Sequence, residues 1–256
     1  MKTAVISGGN GGLGRALADQ LEAVGWHCVL MDVTTTGLQA TARRTPIEVD
    51  LTDTDALHAA AADITATRPS IDMVIYNAGV TQIAPFGETT ADSHRRVFEI
   101  NYFAAVEMAR AFLHPLRQSR GTHLAISSVA GFSPLYGRTA YAASKHALQG
   151  FFSTLRSEER AFGVRCLIAA PSFVATNVGR AERGDGAIMR PGAAADSINQ
   201  MTPEDAATII LHGALKGRAF IPVGRVARLA ALLVRLSPPL YEWVMGRNMH
   251  AREPTK

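Results

Sequence analysis

The chain has 256 residues, 47% hydrophobic and 19% charged, with a formal net charge of +4. That suits one α/β domain with a sizeable core and excludes a disordered or collagen-like chain. The positive excess is local: residues 1–217 carry 19 Lys and Arg against 20 Asp and Glu, net −1, while residues 218–256 carry 7 against 2, net +5. A nucleic-acid binder more often spreads basic charge over its folded body, so that class is set aside.

The run TAVIS (3–7) reads as a strand, followed by the glycine loop SGGNGGLG (7–14). Leu13, Ala16, Leu17, Leu21 and Val24 then recur at helical spacing, and Gly25 ends that helix. The loop fits two registers, Gly9-x-Gly11-x-x-Gly14 and Gly8-x-x-x-Gly12-x-Gly14. Either permits a tight turn and close backbone approach to a pyrophosphate at a helix N-terminus. The next strand, HCVLMD (27–32), ends on Asp32. A carboxylate there accepts hydrogen bonds from adenosine ribose hydroxyls and repels a 2′-phosphate, so NAD is expected over NADP.

PIEVD (46–50) and MVIYN (73–77) read as further strands with a helix at 53–67 between them. A long helix near 89–116 precedes the strand THLAISS (122–128), a helix near 140–162 and the strand VRCLIAAP (164–171). A helix at 203–215 and the strand AFIPV (219–223) follow. The strands are continuous apolar runs, as burial on both faces of a parallel sheet requires. Alternating strands and helices predict a single doubly wound, Rossmann-like α/β domain of about seven strands, spanning 1–224.

The stretch LYGRTAYAASK (135–145) offers two tyrosines. Tyr141 and Lys145 lie at i and i+4, on one helical face. A nearby ammonium is expected to lower the Tyr141 phenol from its usual ~10, fitting it for proton transfer at a carbonyl. Tyr136 has alanine at the matching position and reads as a loop residue, a pocket wall or a packing residue.

With these residues in place the sequence resembles the short-chain dehydrogenase/reductase family, in its compact form, from Met1 to about Val223. SGGNGGLG is similar to the family's T-G-x-x-x-G-x-G loop, with Ser7 for threonine. VDLTD (49–53) matches the adenine-contacting segment through Asp50 and Leu51. YNAG (76–79) matches N-N-A-G, with Tyr76 for the first asparagine. Asn101 matches the asparagine of the proton relay, ISSVAG (126–131) the catalytic serine segment, and YAASK (141–145) the Tyr-x-x-x-Lys motif. APSFVAT (170–176) resembles P-G-x-x-x-T, with Ser172 for glycine.

The resemblance implies an oxidoreductase that moves a hydride between NAD and an alcohol or ketone. Its catalytic residues are expected to be Asn101, Ser128, Tyr141 and Lys145. Cofactor contacts are expected from Gly8, Asn10, Gly12, Leu13, Gly14, Asp32, Asp50, Leu51, Asn77, Ala78, Gly79, Tyr141, Lys145, Pro171, Val174 and Thr176. Family spacing selects Ser128 over Ser127, and paired long helices imply a homodimer or homotetramer. A catalytically silent dinucleotide-binding regulator is a rival reading, although such relatives are expected to lose the Tyr, Lys or Ser. A membrane-docked scaffold is another.

Phe132, Leu135, Tyr136 and Phe173 flank the motifs and suggest an apolar pocket for a lipophilic substrate. Residues 177–200, poorly periodic, read as a lid over the substrate. In the tail, 225–256, Leu229, Leu232, Leu233 and Leu236 form a stripe edged by Arg225, Arg228 and Arg235, followed by Pro238-Pro239, Tyr241 and Trp243. That pattern fits a helix on an anionic membrane surface. It also fits a helix packed on the cleft or on a second subunit, the commoner case. Cys28 and Cys166 sit in apolar runs and read as buried free thiols, so no disulfide or metal site is expected. The N-terminal apolar run is too short for a signal peptide, and no stretch reaches the ~18–20 residues of a membrane span. A cytoplasmic location follows as the expectation, with peripheral membrane contact through the tail left open.

Overall fold

The computed structural model describes residues 1–176, 188–192, 200–241 and 243. In chain order the first half contains β1 (Thr3–Ser7), α1 (Gly12–Ala23), β2 (His27–Asp32), β3 (Arg44–Glu48), α2 (Thr54–Thr67), β4 (Met73–Tyr76), β5 (Thr81–Gln82), α3 (Ala91–Phe98), α4 (Ala104–Ala111) and α5 (Leu113–Ser119). The second half contains β6 (Thr122–Ile126), α6 (Thr139–Glu159), β7 (Arg165–Pro171), β8 (Ile188–Met189), α7 (Pro203–Leu215), β9 (Phe220–Val223) and α8 (Arg225–Leu236).

Seven strands form one parallel sheet in the order β3-β2-β1-β4-β6-β7-β9. The expected doubly wound sheet is therefore present. Pro46 in β3 and Pro222 in β9 lie on the two edge strands, where a missing N–H breaks the fewest ladder bonds. The apolar runs serve two cores. Ala4 and Ile6 of β1 join Leu17 and Leu21 of α1 and Ile210 of α7 on one face. Val5 between them joins Leu57 of α2, Phe112, and Leu148 and Phe152 of α6 on the other. Burying such a side chain fully contributes about 1.5–3 kcal/mol, so both faces of the sheet hold the helices in place.

Helix ends follow local chemistry. Asp53 accepts the Ala56 N–H at the start of α2, and Thr202 accepts the Asp205 N–H ahead of Pro203 in α7. Gly25, at φ +88°, takes the chain out of α1.

The structure departs from expectation in three places. The helix expected over 89–116 is three helices, interrupted by a π-helical turn at Glu99–Phe103 and by Phe112. The third strand is Arg44–Glu48 rather than 46–50, because residues 49–52 turn toward α2. A two-stranded ribbon, β5 antiparallel to β8, was not foreseen. Of the expected lid, 177–187 and 193–199 lie outside the described residues, as do 242 and 244–256 of the tail.

Candidate active site

The sheet order reverses at β1, between β2 on one side and β4 on the other. In such sheets a crevice opens there, beyond the carboxyl ends of the strands. A cleft of about 980 Å³ occupies that place. It is lined from the loops after β1, β2, β4, β6 and β7, and by the start of α6 and part of α8.

The glycine loop enters the cleft in the wider-spaced register. Gly8 and Gly12 line it, with Gly11, while Gly9 is set against Leu30. Gly8 has φ +62°, and a Cβ there would lie 2.9 Å from the Ala78 Cα. A Cβ on Gly14 would strike the Gly8 carbonyl, so Gly14 lets α1 seat against the loop without itself facing the cleft. Ser7 and Asn77 lace this loop to the next: Ser7 Oγ accepts the Asn77 and Ala78 N–H groups, and Asn77 Nδ2 donates to the Ser7 and Gly8 carbonyls.

Asp32 lines the cleft at the end of β2, and its carboxylate accepts the Asn10 N–H at 2.9 Å. Asn10 does not line the cleft. Its side chain donates to the Thr34 and Thr36 carbonyls and so supports the loop after Asp32. Arg15, one residue beyond the glycine loop, donates to Asn10 and to the Gly37 carbonyl. Leu13, Asp50, Leu51, Asn77, Ala78, Gly79, Pro171, Val174 and Thr176 all line the cleft. Ser172 keeps the path after β7 by bonding to the Val223 carbonyl through both N–H and Oγ, and Thr176 Oγ donates to the Pro191 carbonyl at 2.7 Å.

The two serines after β6 separate cleanly. Ser127 Oγ faces α6, with the Lys145 carbonyl and Gln149 as partners. Ser128 lines the cleft and its side chain is hydrogen-bonded to Tyr141. Both Tyr141 and Lys145 are buried and line the cleft. Tyr136 is 62% exposed and lies outside it, which removes the pocket-wall reading. Phe132 is also outside, edge-on to Phe220, whereas Leu135 and Phe173 do line the cleft.

The electrostatics correct one expectation. Burial pushes the Tyr141 phenol above its usual value, opposed by the Ser128 hydrogen bond and then by the Arg138 charge. Lys145 does not lower it. Its ammonium donates to the Ile126 carbonyl at 2.9 Å, stands 5.9 Å from the Tyr141 ring centroid, and is itself brought down to about 8 by burial. An ammonium buried on a backbone carbonyl gives part of its proton affinity to desolvation.

Asn101 sits in the π-helical turn and is buried just behind the cleft, not on its wall. Its Oδ1 accepts the Val80 N–H, and Nδ2 donates to the Val80 carbonyl and to Ser144 Oγ. A Cβ built on Gly79 would be 3.1 Å from Asn101 Oδ1 and 3.5 Å from Lys145 Nζ, so both groups flank that glycine.

Comparison with known proteins agrees with this geometry. The family model for short chain dehydrogenase matches residues 2–186. Dehydrogenase/reductase SDR family member 7B of Xenopus laevis is 31% identical over 98% of this chain and 83% of its own length. The chain belongs to the short-chain dehydrogenase family. The mouse protein of the same name is 33% identical over 68% of this chain and 58% of its own. Among solved structures, a short-chain dehydrogenase from Streptomyces avermitilis superposes with a TM-score of 0.80 at 27% identity, covering 96% of this chain and 98% of that one. A Burkholderia cenocepacia short chain dehydrogenase in complex with NADP shares the fold, at TM-score 0.80 and 22% identity over 99% and 98% of the two chains. Membership makes this chain an oxidoreductase of the NAD(P)-dependent dehydrogenase/reductase type.

The short-chain dehydrogenase cleft also contains residues the sequence reading missed. Arg138, just before α6, is buried on its wall and donates to Thr81 Oγ1 at 3.2 Å. An arginine preceding a helix reads as an ordinary solvent residue, and only its neighbour Tyr141 could have drawn attention to it. Arg190, Pro191 and Gly192 line the cleft beyond β8. The tail contributes Val226, Leu229, Ala230, Leu233 and Tyr241, and the Tyr241 hydroxyl donates to Ser133 Oγ at 3.0 Å. That contact packs the tail on the cleft. Cys28 and Cys166 are buried free thiols, each pushed up to about 12 by burial. Among the described residues no helix is long and apolar enough to cross a membrane, and no cluster of metal-ligating side chains occurs.

Proposed function

We propose that this short-chain dehydrogenase interconverts a lipophilic alcohol and its ketone, with NAD as the preferred cofactor. The observation that carries the reading is the buried Tyr141 hydroxyl, hydrogen-bonded to Ser128 and one helical turn from Lys145, on the wall of a cleft at the sheet's switch point. The glycine positions fit a dinucleotide, since Gly8, Gly11 and Gly12 present bare backbone on the cleft wall where α1 begins. NAD, when bound, supplies or accepts the hydride at the substrate carbon.

The protein's part is the proton and the oxygen. In reduction Tyr141 donates its proton to the carbonyl oxygen as the C–H bond forms; in oxidation it takes that proton back. Ser128 donates a hydrogen bond to the same oxygen and stabilises charge developing there. Lys145 binds the nicotinamide-side ribose. Asn101 holds the Val80 loop and supports a proton relay through its π-helical turn. A phenol raised by burial stays protonated at neutral pH, so reduction runs there and oxidation gains as pH rises. Ile83, Leu135, Phe173, Val226, Leu229 and Leu233 supply apolar wall, which favours a lipophilic substrate.

The NAD preference rests on Asp32, whose carboxylate is fixed on the cleft wall by the Asn10 N–H. Arg15, the cation nearest that loop in sequence, is engaged by Asn10 and Gly37. Solved structures with this fold carry either cofactor: the Burkholderia protein holds NADP, and a 4-hydroxyisoleucine dehydrogenase, 26% identical with a TM-score of 0.62, holds NADH and succinate. Asp32→Ala should narrow the preference for NAD over NADP by at least about tenfold by removing like-charge repulsion of the 2′-phosphate. Steady-state kinetics with both cofactors reads this directly, and a wild-type protein that prefers NADPH rejects the assignment.

A further inference from the structure

Helix α8 is packed the wrong way round for a globular protein. Ala227 and Ala230 are buried, and Ala231 and Val234 complete that half-covered face. The opposite face holds the large apolar residues, and they are in water: Val226 is 49% exposed, Leu229 58%, Leu232 55% and Leu236 74%. After the turn at Ser237, Leu240 and Trp243 are exposed as well. Scattered exposed leucines need no explanation, but a continuous stripe on one helix does.

Charge identifies what covers it. Arg228 and Arg235 are exposed along one edge of the stripe, Arg225 is exposed within it at the start of the helix, and α8 contains no acidic residue. A second copy related by a twofold axis would bring the same arginines toward one another with no acid on either helix to receive them. An anionic lipid surface meets both features, taking leucines into the acyl boundary and arginines onto phosphates. The same stripe reaches the cleft, because Val226 and Leu229 are half exposed outside and also line its wall with Leu233.

We propose that α8 docks this protein on an anionic bilayer and that the cleft opens onto that surface, so that substrate enters from the lipid. Docking itself does not depend on the hydride-transfer reading; only the entry of substrate does.

Flotation with vesicles of phosphatidylcholine and phosphatidylserine tests it on the full-length protein. The wild type should float at about 0.1 M salt and be largely released at about 1 M, where the Debye length falls from ~10 Å to ~3 Å. Pure phosphatidylcholine should hold it more weakly. Arg228→Gln should lower partitioning about fivefold, the effect of one near-surface arginine. The double variant Leu232→Ser/Leu236→Ser should abolish flotation while turnover of a water-soluble ketone persists, since neither residue lines the cleft. Trp243 gives a second readout independent of any variant. Of the two tryptophans Trp26 is buried, so a blue shift of emission on vesicle addition reports on Trp243. A wild-type chain that stays unbound at low salt overturns the proposal. So does a leucine double variant that floats normally, or one that converts an oligomer to monomers in light scattering. A protein that floats yet reduces no ketone leaves docking intact and rejects the catalytic reading instead.

Discussion

At the scale of single residues the site is governed by burial more than by the pairing of charges. Lys145 shows this most clearly, because its ammonium is desolvated and brought from 10.5 to about 8. Its folded-state value lies below the unfolded one, so between these values the unfolded chain binds more protons. Stability must therefore rise with pH across that window, and the penalty is fully present below it. At neutral pH the penalty is up to ~3 kcal/mol. Lys145→Met should relieve it at pH 7, and its advantage over the wild type should shrink toward pH 10. Urea denaturation of both proteins at the two pH values measures the difference. An advantage that grows with pH would mean that the ammonium is not desolvated in the fold. A buried cation with one carbonyl partner is kept at a cost that a merely structural residue would not carry.

At the scale of elements, the N-terminus of α6 gathers the chemistry. Arg138 precedes the helix, Tyr141 follows within its first turn, and Lys145 lies one turn on. Arg138 also ties this end of α6 to Thr81 of β5, the short strand that pairs with β8 beside the cleft. Its positive charge lowers the Tyr141 phenol, so Arg138→Met should move the oxidation limb of the pH–rate profile to higher pH. A uniform loss of rate with no shift in the profile would point to a packing role alone.

Much of this level was legible in the sequence. The five inner strands of the main sheet stand out because burial on both faces makes each a largely apolar run, and Gly8, Asp32 and Ser128 stand at their ends or just beyond, while Tyr141 and Lys145 follow in α6. Other features left no local signal. β5 and β8 have two residues each, too few for any periodicity. The π-helical turn at EINYF contains no Gly or Pro, so the pattern ran on as one helix. Gly14 and Asn10 belong to the loop motif but support it from behind, a distinction only the backbone geometry makes. The Tyr241–Ser133 bond joins residues 108 apart in the chain.

At the scale of the whole molecule, two apolar clusters among the described residues stand outside the core. One is the leucine face of α8. The other is an aromatic cluster spanning α3 to α6, in which Tyr102 meets Phe98, Phe103 and Phe151 edge-on. Leu148 and Phe152 of α6 are buried on the sheet, while Phe151 and Leu155 are only partly covered. We propose that this second surface pairs two copies through their long helices. Phe103, about half exposed, is the residue to charge: Phe103→Glu should weaken self-association by at least about thirtyfold, the effect of losing an interface hot spot. Light scattering at micromolar concentration should show an oligomer for the wild type and monomer for the variant. A monomeric wild type would remove the interface.

The central claim, that Tyr141 transfers the proton during hydride exchange, is tested most directly by NADH absorbance during reduction of ketones of graded chain length. The wild type should turn over the longer, more lipophilic ketones. Tyr141→Phe should lose at least about 10²–10⁴ of kcat while its NADH affinity is nearly unchanged, the effect expected of removing the general acid alone. Tyr136→Phe, with its side chain outside the cleft, should behave as wild type. An active Tyr141→Phe, or a Tyr136→Phe that is the dead variant, contradicts the account.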